Sequence, residues 1–180
     1  PDFHDGSNPQ IENVSSSYYD ENGRNVILLS NIRDEMFYDD KYPYYIVGYY
    51  WGYLERQHDR NIVTIDVHDW ENRVGDDASH KNLYEAVLAH EYQHLIHDDY
   101  NPYDDLFMNE GCSMYAEPLC GYPIDWSSIN SFLFTPDNSL TEWGDQGDIN
   151  ILADYGQALL WAIYLSDQSG GAELLSYFVQ

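Results

Sequence analysis

The sequence predicts an α+β fold, and three observations carry the prediction. Short runs rich in β-branched and aromatic residues cluster before residue 70. After residue 80 the apolar spacing changes to the helical period. Strands first and helices later is the order of an α+β chain. The 180 residues suffice for one ordinary domain, or for two small lobes sharing a cleft. The single domain expected here has a sheet-rich part over 1–80, with a small mixed sheet against a helix, and a helical part over 81–180.

Taken in order, residues up to Arg24 are polar and turn-rich, with Asp5-Gly6 and Asn22-Gly23 as turn signals. Three runs at 26–32, 44–51 and 62–67 read as strands. A charged, glycine-containing loop follows at 69–80. Asn82 and Glu85 have the spacing of a capping box and predict a helix start. Leu83, Val87, His90, His94 and His97 then share one helical stripe, with Tyr84, Leu88, Glu91 and Leu95 beside it. This helix is expected to end near Asp98. A short helix is predicted over 108–119, mostly loop over 124–150 with a helical turn at 128–134, and an amphipathic helix over 151–166. Gly170-Gly171 breaks that helix before a final apolar one over 172–180.

Composition limits the partners. Lys and Arg number 7 against 32 Asp and Glu, a formal charge of −25. Such a surface repels polyanions, which argues against nucleic acid and against anionic membranes. The 18 Tyr and 5 Trp supply enough apolar area for a packed core, which argues against global disorder. The longest strongly apolar run, 44–54, is far shorter than the roughly 20 residues that span a bilayer. No secretory signal is visible, and a chain opening on Pro1 reads as a processed or trimmed product.

The chemistry concentrates in His90-Glu91-Tyr92-Gln93-His94. Two His four apart on a helix stand one above the other, so both imidazoles can reach one ion. Zn²⁺ accepts His nitrogens at about 2.0–2.1 Å in a tetrahedral shell. Glu91 is rotated about 100° from His90, which sets its carboxylate beside the ion and close to a bound water, but not necessarily as a ligand. This is the H-E-x-x-H arrangement of zinc peptidases. The longer metzincin pattern fails, because it needs Gly at 97 and His at 100 where the chain has His97 and Tyr100. His97 is read as structural, and His4, His58, His68 and His80 as isolated.

Downstream lies Asn109-Glu110-Gly111-Cys112-Ser113-Met114-Tyr115-Ala116-Glu117. Its Asn-Glu-x-x-Ser start resembles the second-helix signature of the gluzincin peptidases. The pair of strings, 89–97 and 109–117, looks most like the hyicolysin-type metallopeptidases. The resemblance implies a zincin-like fold and a secreted, monomeric zinc endopeptidase acting on peptides or proteins. It implies Zn²⁺ on His90, His94 and Glu110, with Glu91 as general base towards a metal-activated water. Ala153-Asp154-Tyr155-Gly156 resembles the gluzincin segment that brings a phenol to the oxyanion, which implies that role for Tyr155. Where thermolysin-type enzymes carry a supporting Asp, this chain has Met114; Glu117 is the candidate substitute, with Asp98 or Asp99 as alternatives.

Four further readings complete the set. Cys112 lies two residues from Glu110, about 200° round a helix, so it is read as a partner for a disulfide to Cys120 or as a buried thiol. The acidic pairs Asp39-Asp40, Asp76-Asp77, Asp98-Asp99 and Asp104-Asp105 are candidate Ca²⁺ loops, or plain surface charge. A zinc aminopeptidase is one competing function, although no exopeptidase motif is present. A non-catalytic binding module with a structural metal site is the other.

Overall fold

The computed structural model describes residues 24–171. The turn signals Asp5-Gly6 and Asn22-Gly23, His4, and the apolar helix expected over 172–180 lie outside them. The described architecture is mixed α and β, with a small three-stranded sheet early and helices later. The chain divides into two compact units after Asp99.

In the first unit, β1 (Val26–Ser30), β2 (Gly48–Tyr50) and β3 (Ile62–Asp66) form a sheet in the order β1-β3-β2. β1 runs parallel to β3, with Val26 opposite Ile62 and Ser30 opposite Asp66. β2 runs antiparallel to β3, with Tyr49 opposite Thr64. A parallel pair needs a crossover connection. The chain between β1 and β3 supplies it with two helices, α1 (Glu35–Tyr38) and α2 (Gly52–His58), and with β2 itself. Neither helix was expected, and only three residues of the predicted strand 44–51 pair with β3.

β3 is central and buried along its whole length. Its last residue, Asp66, is buried only because both carboxylate oxygens accept main-chain N–H groups, from Ile32 at 2.9 Å and His68 at 3.2 Å. β1 lies at an edge and leaves Val26, Ile27, Leu28 and Leu29 exposed.

Helix α3 (Leu83–Tyr100) closes this unit. Up to Asp99, α3 lies in the same compact unit as the strands. Gly48 shows why: a Cβ there would lie 2.8 Å from Val87 Cγ1 and 2.9 Å from the Thr64 carbonyl oxygen. Only glycine lets β2 fit between α3 and β3. Asn25 ties the same helix to β3, donating to the Tyr92 hydroxyl at 2.9 Å and accepting from Asn61 Nδ2 at 2.9 Å.

The predicted capping box does not form. Asn82 adopts a left-handed conformation, φ 54°, whereas an N-cap needs extended backbone to aim its side chain at the first turn. Its carbonyl still starts the helix by accepting from the Ala86 N–H at 3.0 Å, but its amide donates to Asp76 at 2.9 Å. Glu85 reaches back to the Gly75 N–H at 2.9 Å and so holds the 69–80 loop instead. That loop also contains a 3-10 turn at Trp70–Asn72, and Trp70 stacks on Tyr84.

The second unit contains α4 (Leu106–Leu119), α5 (Trp126–Phe134) and α6 (Ile151–Gln168). Met114, Ile129 and Leu159, one from each helix, form its core, with Tyr115, Ile124, Tyr155, Leu160 and Ile163 around them. α5 is longer than the predicted turn because Asp125 caps it, accepting from Ser127 N and Ser128 N. Two glycines set the helix crossings. A Cβ at Gly111 would lie 2.8 Å from the Ala158 carbonyl oxygen, and one at Gly156 would lie 2.0 Å from that of Ser128. Among the described residues no helix is long and apolar enough to cross a membrane.

Both cysteines are free, Cys112 buried and Cys120 exposed. The disulfide expectation is therefore corrected, and the buried-thiol alternative describes Cys112. Eight residues of helix separate the two by about 12 Å of rise, against the roughly 4.4–6.8 Å that a disulfide spans between Cα atoms.

Two stability predictions follow from these contacts. Burial pushes the Glu55 carboxyl on α2 up to about 8, and Asp99 and Asp98 add to the rise. Burial and Asp98 push Asp99 up to about 7. Both bind their proton more tightly folded than unfolded. Their contribution is complete below the ordinary values of 4.5 and 3.8 and is lost as pH rises through about 7 and 8. The melting temperature should thus fall between about pH 5 and 8, and fall less in Glu55→Gln. Equal slopes would contradict the assignment. Separately, Gly156→Ala should cost about 3 kcal/mol in urea unfolding, because its methyl meets main-chain atoms that cannot rotate away.

Candidate metal centre

Two of the candidate ligands, His90 and His94, sit on α3, whose buried residues are unusually polar. Its buried residues include His90, Glu91, Gln93 and His97 beside Leu95 and Ile96. A helix built only for packing would fill these positions with aliphatic residues, so each buried polar group requires a partner.

His90 and His94 face each other one helical turn apart. Their rings stand at 76°, with centroids 4.8 Å apart, and their Nε2 atoms are separated by 3.1 Å. Two nitrogens on one tetrahedral ion at about 2.0–2.1 Å would be about 3.3 Å apart, so little side-chain movement is needed to share one. His90 is buried and His94 half-buried. Glu110 on α4 completes a group whose ligand atoms lie within 4.8 Å of one another. A His/His/Glu group of this kind can hold a metal ion. Two imidazoles and one carboxylate suit zinc and neighbouring divalent transition metals, and do not suit Ca²⁺, which takes six to eight oxygens.

Glu91 does not belong to that group. It is buried at 6 % exposure, and its Oε2 accepts the main-chain N–H of Tyr50 at 2.8 Å. Tyr50 is itself fixed at its other end. Its hydroxyl lies 2.9 Å from Glu55 Oε2 and 2.9 Å from Asp98 Oδ2. Asp98 is thus engaged with Tyr50, and burial together with the two carboxyls pushes the Tyr50 phenol upward.

The remaining site candidates have distinct surroundings. His97 is fully buried, with Nδ1 3.4 Å from Gln93 Nε2. Glu117 is half-buried on α4. The Tyr155 ring packs against the Met114 cluster and meets Trp143 edge to face, with centroids 5.0 Å apart. Cys112 is buried, and burial pushes its thiol up to about 12, which disfavours the thiolate a metal would need.

The acidic pairs have local uses. Asp39 accepts from the Lys41 N–H at 3.1 Å, Asp76 meets Lys81 at 3.0 Å, and Asp104 accepts from the Asp105 N–H at 2.9 Å. Among the described residues no second group of three His, Cys, Asp or Glu side chains gathers its ligand atoms. Sequence reasoning missed Tyr50 and Glu55 entirely. A main-chain donor leaves no residue-type signal, and nothing in Gly52-Tyr-Leu-Glu55 marks the glutamate as buried.

Compared with models of known protein families and with curated proteins, the chain has no match.

Metal content tests the centre. Chelator-stripped protein should take up one divalent transition ion per chain. His94→Ala should weaken uptake by more than the roughly 10–100-fold that loss of a supporting residue costs. His97→Ala should lower the melting temperature and leave the stoichiometry at one. Undiminished uptake in His94→Ala would remove that residue from the site.

Proposed function

We propose that the chain is a secreted, monomeric zinc metalloendopeptidase of the gluzincin type, with a zincin-like fold. The observation that carries this reading is the pairing of a His/His/Glu group with a buried, hydrogen-bonded glutamate directly after the first His. The resemblance of the strings at 89–97 and 109–117 to hyicolysin-type peptidases points the same way.

In this reading His90, His94 and Glu110 hold Zn²⁺. The bound ion supplies Lewis acidity, lowering the pKa of water and polarising an amide carbonyl. Glu91 takes the proton of the attacking water and passes it to the leaving amine, so the glutamate is a carboxylate again when the peptide bond has broken. The Tyr50 N–H restrains that carboxylate while it exchanges the proton. Tyr155 donates from its hydroxyl to the developing oxyanion. Glu117 supports a ligand. β2, at an edge of the sheet and adjoining the Glu91 hydrogen bond, is the strand an extended peptide would lie along. The acidic surface favours cationic peptides.

Zinc-loaded wild type should digest casein or a mixed peptide library, and a chelator should stop it. Glu91→Gln should keep one zinc and lose nearly all turnover. Tyr155→Phe should lower kcat by about 10²–10³-fold. Full activity in Glu91→Gln would refute the general-base assignment. One zinc with no cleavage of any peptide would favour a binding module.

A further inference from the structure

We infer that Tyr50 is a positioning residue for Glu91, held in place by Glu55 and Asp98. This deepens the peptidase reading and rests on it. The chain of contact is continuous and lies within one unit. Glu91 is held by the Tyr50 main-chain N–H at 2.8 Å. The Tyr50 side chain is held at its far end by two carboxyl groups, each at 2.9 Å. Tyr50 ends β2, and three residues of strand pairing are too few to fix its last amide unaided. The phenol anchor supplies what the short strand lacks.

The anchor has a definite proton arrangement. One phenol carries one hydrogen, yet two carboxyl oxygens lie at hydrogen-bond distance from it. Both contacts are favourable when one carboxyl is protonated and donates to the phenol oxygen, while the phenol donates to the other. Glu55 suits the donor part, being 3 % exposed on α2. Asp98 then accepts. Gly52 leaves the space this packing needs: a Cβ there would lie 2.8 Å from Asp98 Oδ2 and 3.1 Å from the Tyr50 hydroxyl. The arrangement does not touch the reacting atoms. It sets where the Glu91 carboxylate points, and displacing a general base by about 1 Å can cost 10²-fold in rate.

The test uses zinc-loaded protein and two readouts, turnover and hydrogen exchange of the residue-50 amide. Tyr50→Phe keeps the amide and removes the anchor. It should lower kcat by about 10–100-fold at unchanged KM and zinc content, and should speed exchange of that amide. Glu55→Gln, whose side-chain amide can donate as the protonated acid does, should stay within about threefold of wild type in kcat and keep the amide protected. Should Tyr50→Phe fail to fold, Gly52→Ala separates the phenol from Asp98 and should show the same kcat loss. A Tyr50→Phe protein that melts earlier yet keeps its kcat would overturn the inference, leaving Tyr50 a purely structural part. If wild type cleaves no peptide, the peptidase reading fails on its own. The anchor is then decided by exchange alone: protection lost in Tyr50→Phe and kept in Glu55→Gln supports it, and equal protection in both overturns it.

Discussion

The hydrogen bond from the Tyr50 main chain to the Glu91 carboxylate is the contact on which the account depends. A carboxylate at 6 % exposure is costly to bury without charge-assisted partners. Such a bond contributes about 1.5–3 kcal/mol, and leaving the acceptor unmet would cost at least as much. The bond exists only because β2 comes close to α3, and β2 comes close because Gly48 has no side chain to strike Val87 or the Thr64 carbonyl. Backbone geometry in the sheet thus decides whether the polar face of α3 can be buried. That polar face carries His90 and His94.

Seen from this contact, the first unit is organised behind α3. β3 provides a fully buried central strand, β2 presents the amide, and α2 brings Glu55 to the Tyr50 phenol. The Asn25 side chain links Tyr92 on α3 to Asn61, the residue before β3. The second unit uses a different device. Its helices approach through Gly111 and Gly156, and its aromatic and aliphatic side chains close around Met114, Ile129 and Leu159. Most of the −25 formal charge is carried outside the cores, although Glu55, Asp66, Glu91 and Asp154 are buried. It sets the field around the molecule.

What could be read in advance followed from periodicity. The i, i+4 pair of His90 and His94, the position of Glu91 and the three later helices are consequences of 3.6 residues per turn. Glu110 lies beyond the reach of that argument and was identified only through the resemblance of its segment. α2 was missed because Gly52-Tyr53-Leu54 continues an aromatic, strand-like run, and the change of direction comes from tertiary packing. The capping box failed because its spacing rule assumes an extended Asn82, whereas the 69–80 loop enters the helix through a left-handed turn. The disulfide failed because α4 runs straight through to Leu119, which keeps Cys112 and Cys120 far apart.

The central claim is that the metal is held by two imidazoles and a carboxylate, with Glu91 beside the shell and outside it. X-ray absorption at the zinc edge, on zinc-loaded wild type and Glu91→Gln, tests this most directly. The account predicts nitrogen and oxygen scatterers at about 2.0–2.1 Å, including two imidazoles, with the same shell in both proteins. Sulfur at about 2.3 Å, or a shell that changes when Glu91 is replaced, would contradict it.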